Sequence, residues 1–529
     1  MPLPPTRAVC ARFRFISRRR RRPRPRRARP RRAAALLAVA LVAWGGPAPL
    51  SAQPSGGAPA PGAQAPEQAE PRAPGRRLPA ARTTRHELAL PGRTLSFRAT
   101  AGALTLTDDD GAAEAEIGYV AYTLGAAPPA ERPVTFVVNG GPGAASAYLH
   151  LGVLGPWRLP MDAGAIVPSQ PAGLVANPAT WLDFTDLVFV DPVGTGFSRL
   201  IDDSDRLRRR YLSIGGDIAA LADFVRRWLS ERGRLASPTW FVGESYGGFR
   251  GPLLAERLQT DLGLALDGMV LLSPVLDFGW LRQAGHAPLP SAALLPSLAA
   301  VEMEASGTFS RPALRAAETY AAGDYLADLL AGLRDAEAVE RIVGRVADLT
   351  GLDRDFLARA GGRLGRDAVA RELRRGDGRR ASPYDATVAA PNPDPVAARP
   401  RAPDAVLDAM TAPLTRAMLA HYGATLDWLP ERRYRLLNGG VSRAWSWGGG
   451  RTPPEAVSAL ARVLALDPQF EVLVAHGYTD LVTPYFASEL ILRQLRADDA
   501  EERLRRETYR GGHMFYLRDA ARRAFRDDA

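Results

Sequence analysis

The stretch "TWFVGESYGGFRGP", residues 239–252, decides how this chain is read. Its front, "TWFV", is a short β-branched and aromatic run, whereas "GGFRGPLLAERLQT" behind it has helical periodicity. Between the two, Gly243 and Gly247 flank Ser245. The triplet Gly-x-Ser-x-Gly says little by itself in a chain of 529 residues with 50 glycines. Set between a strand and a helix, it predicts a nucleophile elbow. The turn lifts the serine hydroxyl, the glycines permit close backbone approach, and the helix start offers N–H groups to a developing oxyanion.

Similar designs recur on both sides. "VTFVVNGGPG" and "TDLVFVDPVGTGFSR" are buried-type runs ending in glycine loops, "DIAALADFVRRWLSE" (Asp217–Glu231) is helical, and "GMVLLSPVLDF" and "FEVLVAHGYTD" are two further strands. Strands alternating with helices predict a mostly parallel wound sheet, whose chemistry belongs in the loops at the strand C-termini. Upstream, "TLSFRATAGALTLTD" and "IGYVAYTL" alternate apolar and polar residues, as antiparallel strands do. Strand signals vanish between about residues 279 and 453, where helical stretches such as "RPALRAAETYAAGDYLADLLAGL" dominate. That part reads as a helical cap inserted into the sheet domain.

A serine nucleophile needs an imidazole to take its proton, and the imidazole needs a carboxylate to fix its tautomer. In folds of this kind the order is serine, acid, histidine. "VLVAHGYTDLVTPY" supplies Asp480 just after a strand, and "ETYRGGHMFYLRD" supplies His513 in a glycine-flanked turn. Any one of the three could be an ordinary turn or capping residue; their order and positions together argue for a triad. No His/Asp/Glu cluster has metal-ligand spacing and no HExxH occurs, so neither a metal nor a cofactor is expected.

Charge narrows the partners. The net charge is +11, but residues 1–32 alone hold 14 Arg and no acid, so the remainder is slightly acidic. Nucleic-acid binding is therefore not expected. The Arg-rich start followed by "AAALLAVALVAW" (Ala33–Trp44) and small residues has the form of a secretory leader over residues 1–52. Its apolar run is short for a stable membrane span. The single cysteine, Cys10, lies inside it. Residues 53–84 are rich in Pro, Ala and Gly and read as a disordered linker. The expected layout is then leader 1–52, linker 53–84, core 85–278, cap 279–453 and core 454–529, exported to the periplasm or beyond.

Taken together, "NGGPGAASAYLHLGVLGP" (Asn139–Pro156), "VFVDPVGTGFSR", "GESYGG", "HGYTD" and "GGHM" resemble the serine carboxypeptidase family, in particular a bacterial branch without disulfides. The resemblance covers about residues 115–280 and 455–520. It implies an α/β-hydrolase fold, with a mostly parallel central sheet, antiparallel N-terminal strands and a large helical cap. It also implies removal of C-terminal residues from peptides through an acyl-enzyme. Ser245 would be the nucleophile, His513 the base and Asp480 its partner. The N–H groups of Gly141 and Tyr246 would form the oxyanion hole, and Asn139, Gly140 and Glu244 would hold the substrate's terminal carboxylate.

One position departs from the family pattern. Val153 stands where a second glutamate would pair with Glu244 and share its proton. His150, in the same segment, is a candidate replacement. With that site altered, an esterase or acyltransferase using the same triad remains open, as does a silent partner-binding scaffold. Asp191, Pro192 and Gly196 are expected to be loop scaffolding, His476 structural, and the aromatics of "SRAWSWGGG" (Ser442–Gly450) packing groups.

Overall fold

Runs that are apolar throughout become the middle of a sheet, because helices cover both of its faces. In the computed structural model, "VTFVV", "DLVFV" and "GMVLL" are such central strands, apolar but for Thr135 and Asp186 and buried at every residue. The structure describes residues 77–529 apart from 126–129, 162–168, 170–172, 282–284, 397–402 and 496–501. The expected leader and most of the expected linker lie outside the described residues.

The long strands are β1 (Arg82–Leu90), β2 (Arg93–Thr107), β3 (Ala113–Leu124), β4 (Val134–Val138), β5 (Asp186–Val190), β6 (Thr239–Glu244), β7 (Gly268–Leu272), β8 (Glu471–Gly477) and β9 (Leu504–Tyr509). They lie side by side in the order β1-β2-β3-β5-β4-β6-β7-β8-β9, with a short strand, Arg199–Leu200, paired to β3. β1, β2 and β3 are antiparallel to their neighbours, and the pairs from β5 to β9 are parallel. The first strand starts at Arg82, so the linker expected through residue 84 is too long by three residues. Arg82 and Thr83 are exposed and Thr84 is half-buried, all three polar, which hid this edge-strand start.

Successive side chains leave a strand on opposite faces. Val137, Phe189, Val242 and Leu272 enter one apolar cluster, and their neighbours Phe136, Val188, Phe241 and Leu271 enter the other. Helix α1 (Ile214–Glu231) packs on the second face. The Ser213 hydroxyl caps it by accepting from the N–H of Gly216 at 3.1 Å. Helix α2 (Tyr246–Asp261) follows β6 directly.

Between β7 and β8 the insertion is mainly helical, beginning with α3 (Leu289–Ala305). Leu295, Leu298, Tyr325, Ile342 and Val346 form a third apolar cluster that also takes in Tyr478, Tyr485 and Phe486, which follow β8. The insertion thus shares a core with the sheet domain. The helical stretch after Arg311 forms two helices, broken at Gly323, whose backbone leaves the helical region. The insertion also holds a strand pair, Arg379–Ala381 with Ala389–Pro391, so it is not purely helical. Three-residue strands are too short to leave a periodic signal.

Candidate active site

Ser245 sits at the turn between β6 and α2 with φ 61° and ψ −118°, a conformation few non-glycine residues adopt. A side chain on Gly243 would come within 2.2 Å of the Gly247 carbonyl oxygen. One on Gly247 would come within 2.4 Å of the Val138 oxygen of β4. Both glycines are thus required by backbone contact, which explains the Gly-x-Ser-x-Gly spacing.

His513 and Asp480 stand at the ends of neighbouring strands. His513 Nδ1 is 2.7 Å from Asp480 Oδ2, with both side chains buried. The other oxygen of Asp480 accepts the N–H groups of Val482 at 2.7 Å and Thr483 at 3.1 Å. Burial would raise the Asp480 carboxyl, but His513 and the Thr483 bonds outweigh it and hold it below its usual range. For His513, burial favours the neutral ring, yet Asp480 outweighs this and raises its pKa above the usual value. Ser245 and His513 border the same cavity, of about 300 Å³, together with Asn139, Glu244 and Tyr246.

The "NGGPG" loop after β4 forms the next wall. A side chain on Gly140 would meet the Tyr246 nitrogen at 2.6 Å and the Glu244 oxygen at 2.7 Å, so the loop lies directly on the elbow. Gly141 borders the cavity with φ 105°. Tyr246 is the first residue of α2, so its N–H has no partner within that helix. Arg250 fixes this arrangement from beneath: it donates to the Asn139 carbonyl at 2.5 Å, pairs with buried Asp217 at 2.7 Å, and lies 4.7 Å from the Tyr246 ring centre. Ser146 reinforces the loop by donating its N–H to Asp191 at 2.8 Å. Asp191, with Gly196 close against it, does sit in scaffolding.

Glu244 has found a partner that the sequence did not suggest. The Tyr516 hydroxyl donates to Glu244 Oε2 at 2.6 Å, and both groups are buried. The Asn139 side chain also bonds the carboxyl, while its own oxygen is held by the Leu149 N–H at 3.0 Å. Burial raises Glu244 to about 7, against the opposing pull of His513, Tyr516 and Asn139. Tyr516 lies only three residues past His513; its link to Glu244 spans 272 positions and leaves no local trace.

His150 does not replace the missing carboxyl. Its ring is stacked on Phe189 at 4.1 Å, and its Nε2 lies 2.7 Å from the Tyr122 hydroxyl, which also lies 2.6 Å from His421 Nε2. His476 is likewise structural, with Nε2 2.9 Å from the Ser488 hydroxyl. Trp445 and Trp447 both meet the Tyr246 ring edge-on at 5.6 Å, packing behind the elbow.

Part of the insertion reaches into the site. Residues 383–387 run between the Asp480 and His513 loops. The Tyr384 carbonyl accepts the His513 N–H at 2.5 Å, the Pro383 carbonyl accepts that of Leu481 at 2.9 Å, and the Ala386 N–H donates to Thr479 at 3.1 Å. The Tyr384 ring stands edge-on to the His513 ring at 5.2 Å. Tyr384, Leu407 and Arg366 of the insertion all border the cavity, and sequence reading had assigned none of them to the site.

A wound sheet with a strained serine elbow after a central strand and an acid–histidine pair after its last two strands defines an α/β-hydrolase fold. Comparison with known proteins narrows this. Residues 91–279 match the family model for serine carboxypeptidase, so the resemblance read from the motifs holds for that segment. Serine carboxypeptidase-like 13 of Arabidopsis thaliana is 30% identical over 157 residues, which are 28% of this chain and 34% of that protein. Serine carboxypeptidase-like 31 of the same plant is 32% identical over 173 residues, 32% of each. The chain thus matches about a third of the length of these relatives. The crystal structure of Kex1(delta)p, a prohormone-processing carboxypeptidase from Saccharomyces cerevisiae, covers 82% of this chain and 90% of its own, with a TM-score of 0.51 and 15% identity. At that identity the likeness is one of fold.

Proposed function

We propose that this chain is an exported serine carboxypeptidase that removes C-terminal residues from peptides through an acyl-enzyme. Ser245 Oγ attacks the last peptide carbonyl while His513 takes its proton, and Asp480 holds the imidazole and balances its charge. The N–H groups of Gly141 and Tyr246 receive the oxyanion. His513 then returns the proton to the leaving amine, and water releases the acyl group by the same steps. Asn139, Gly140 and Glu244 face the leaving residue.

The observation that carries this reading is the 2.7 Å His513–Asp480 bond at a cavity shared with Ser245. Export rests on the leader-like sequence of residues 1–52 alone. The test is fluorophosphonate labelling of residues 53–529 beside Ser245→Ala, then hydrolysis of a blocked dipeptide as free acid and as amide. Labelling lost in the mutant, with the free acid preferred, supports the proposal. Because Glu244 pairs with a tyrosine and not with a second carboxyl, an esterase or acyltransferase is the second reading, and labelling without acid preference would select it. No labelling would leave only a partner-binding scaffold.

A further inference from the structure

We propose that Arg366, carried by the insertion, receives a carboxylate on the leaving residue of the substrate. This rests on the carboxypeptidase reading of the cavity and supplies what Val153 takes away.

A carboxylate entering this cavity meets a difficulty at Glu244. One Glu244 oxygen is already bound by Tyr516 at 2.6 Å, and Asn139 also engages the carboxyl. With the group raised to about 7, much of it is ionised at neutral pH and repels a second carboxylate. His513 is committed to Asp480. Of the described residues bordering the cavity, the remaining one with a charged side chain is Arg366, at the start of α4 (Arg366–Glu372). Its charge is permanent, and its planar fork of five N–H donors fits a carboxylate. The side chain is 39% exposed, so an incoming peptide reaches it from solvent, and Asp367 holds its Nε at 3.0 Å.

Arg366 also borders the same cavity as Ser245 and Glu244. The cavity has an apolar side, made by Tyr246, Val275, Phe278 and Leu281. Its polar side includes Glu244, Tyr148, Tyr384 and Arg366. Two tyrosines connect the ends of this polar side. Tyr148 is raised first by burial and then by the proximity of Tyr384 and Glu244. Tyr384 is raised by burial and Asp404, with Arg366 acting in the opposite sense. Glu244, Tyr148, Tyr384 and Arg366 therefore line one cavity with Ser245, close enough to perturb one another. In such a half-enclosed setting an arginine–carboxylate contact is far less screened than on an open surface.

Two sources present this chemistry: the α-carboxylate of any leaving residue, or the side chain of a leaving Asp or Glu. The experiment compares wild type with Arg366→Gln and Arg366→Lys on three blocked dipeptides: leaving alanine as free acid, leaving alanine as amide, and leaving glutamate as amide. Fluorophosphonate labelling of Ser245 confirms that each variant is folded. The expected result is that Arg366→Gln lowers the acid-to-amide ratio of kcat/KM about tenfold or more, mainly through KM, the loss typical of a charged hydrogen bond. Arg366→Lys should recover part of it. A fall confined to the glutamyl amide assigns Arg366 to the side-chain carboxylate. Unchanged ratios in Arg366→Gln for all three substrates overturn the proposal. A wild-type enzyme with no preference between acid and amide instead removes the carboxypeptidase reading, and this inference with it.

Discussion

Two buried histidine sites stand on the same sheet, and they differ in what each ring is bonded to. His513 faces a carboxylate at 2.7 Å and borders a cavity. His150 and His421 share one tyrosine hydroxyl, at 2.7 and 2.6 Å, and neither borders the active-site cavity. Burial acts on all three rings alike, favouring the neutral form. At His513 the Asp480 charge reverses that push, whereas His421 falls to about 3 and His150 is held well below its usual value. Tyr122 has one proton to give, so one ring must present N–H and the other a lone pair. Among the described residues His421 Nδ1 is buried without a partner, which is cheapest as a bare lone pair; His421 is then the donor and His150 the acceptor. Burial alone thus makes a neutral packing group. A carboxylate behind the ring and open space before it are what the proposed base requires.

The sharpest way to break this contrast is at the nucleophile. Ser245→Ala should lower kcat by about 10⁶ and abolish fluorophosphonate labelling. If labelling persists, the cavity is not organised around Ser245. Next in size, Asp480→Asn should lower kcat about 10⁴-fold, by removing the charge that fixes the His513 tautomer, as single-turnover rates would reveal. The matching change at the other site, Tyr122→Phe, should leave labelling intact and cost about 1–3 kcal/mol in denaturant unfolding, since it strands two buried imidazoles. A loss of labelling rate there would erase the distinction between the sites.

The two sites should also answer acid at different pH, because their pKa values shift in opposite directions. With its pKa raised, His513 becomes protonated and inactive at a higher pH than a free histidine would, so the acid limb of kcat/KM should lie above 6.5. His421 is neutral when folded and titrates near 6.5 when unfolded, so its contribution is present above 6.5 and lost as pH falls toward about 3. Thermal melts over that range should flatten in His421→Gln. Smallest of all, Tyr516→Phe removes a bond that favours the ionised Glu244. The pH near 7 at which preference for the free acid fades should then move upward by a fraction of a unit.

How much of this was legible follows from the range of each interaction. Strands such as "VTFVV" and "GMVLL" declare themselves because burial on both faces demands nearly unbroken apolar runs. The elbow is legible because Gly243 meets a constraint set within the turn itself, although that on Gly247 comes from Val138 of β4. The order of Ser245, Asp480 and His513 was also readable, as was the departure at Val153. Its consequence was not, because the Tyr516–Glu244 bond depends on how the turn after β9 folds over the elbow. His150 was a reasonable candidate by proximity to Val153 but turns to Tyr122. Arg366 and Tyr384 belong to a segment whose sequence announces only helices.

The threading of residues 383–387 between the Asp480 and His513 loops has an evolutionary consequence. Insertions in wound-sheet enzymes are usually pictured as exchangeable modules, grafted to alter substrate range while the catalytic apparatus stays put. Here the segment that shapes the cavity also supplies the backbone acceptor for His513 and the packing partner of its ring. Grafting in a foreign insertion would therefore disturb turnover together with selectivity, and new preferences are more accessible through point changes on the existing wall than through recombination.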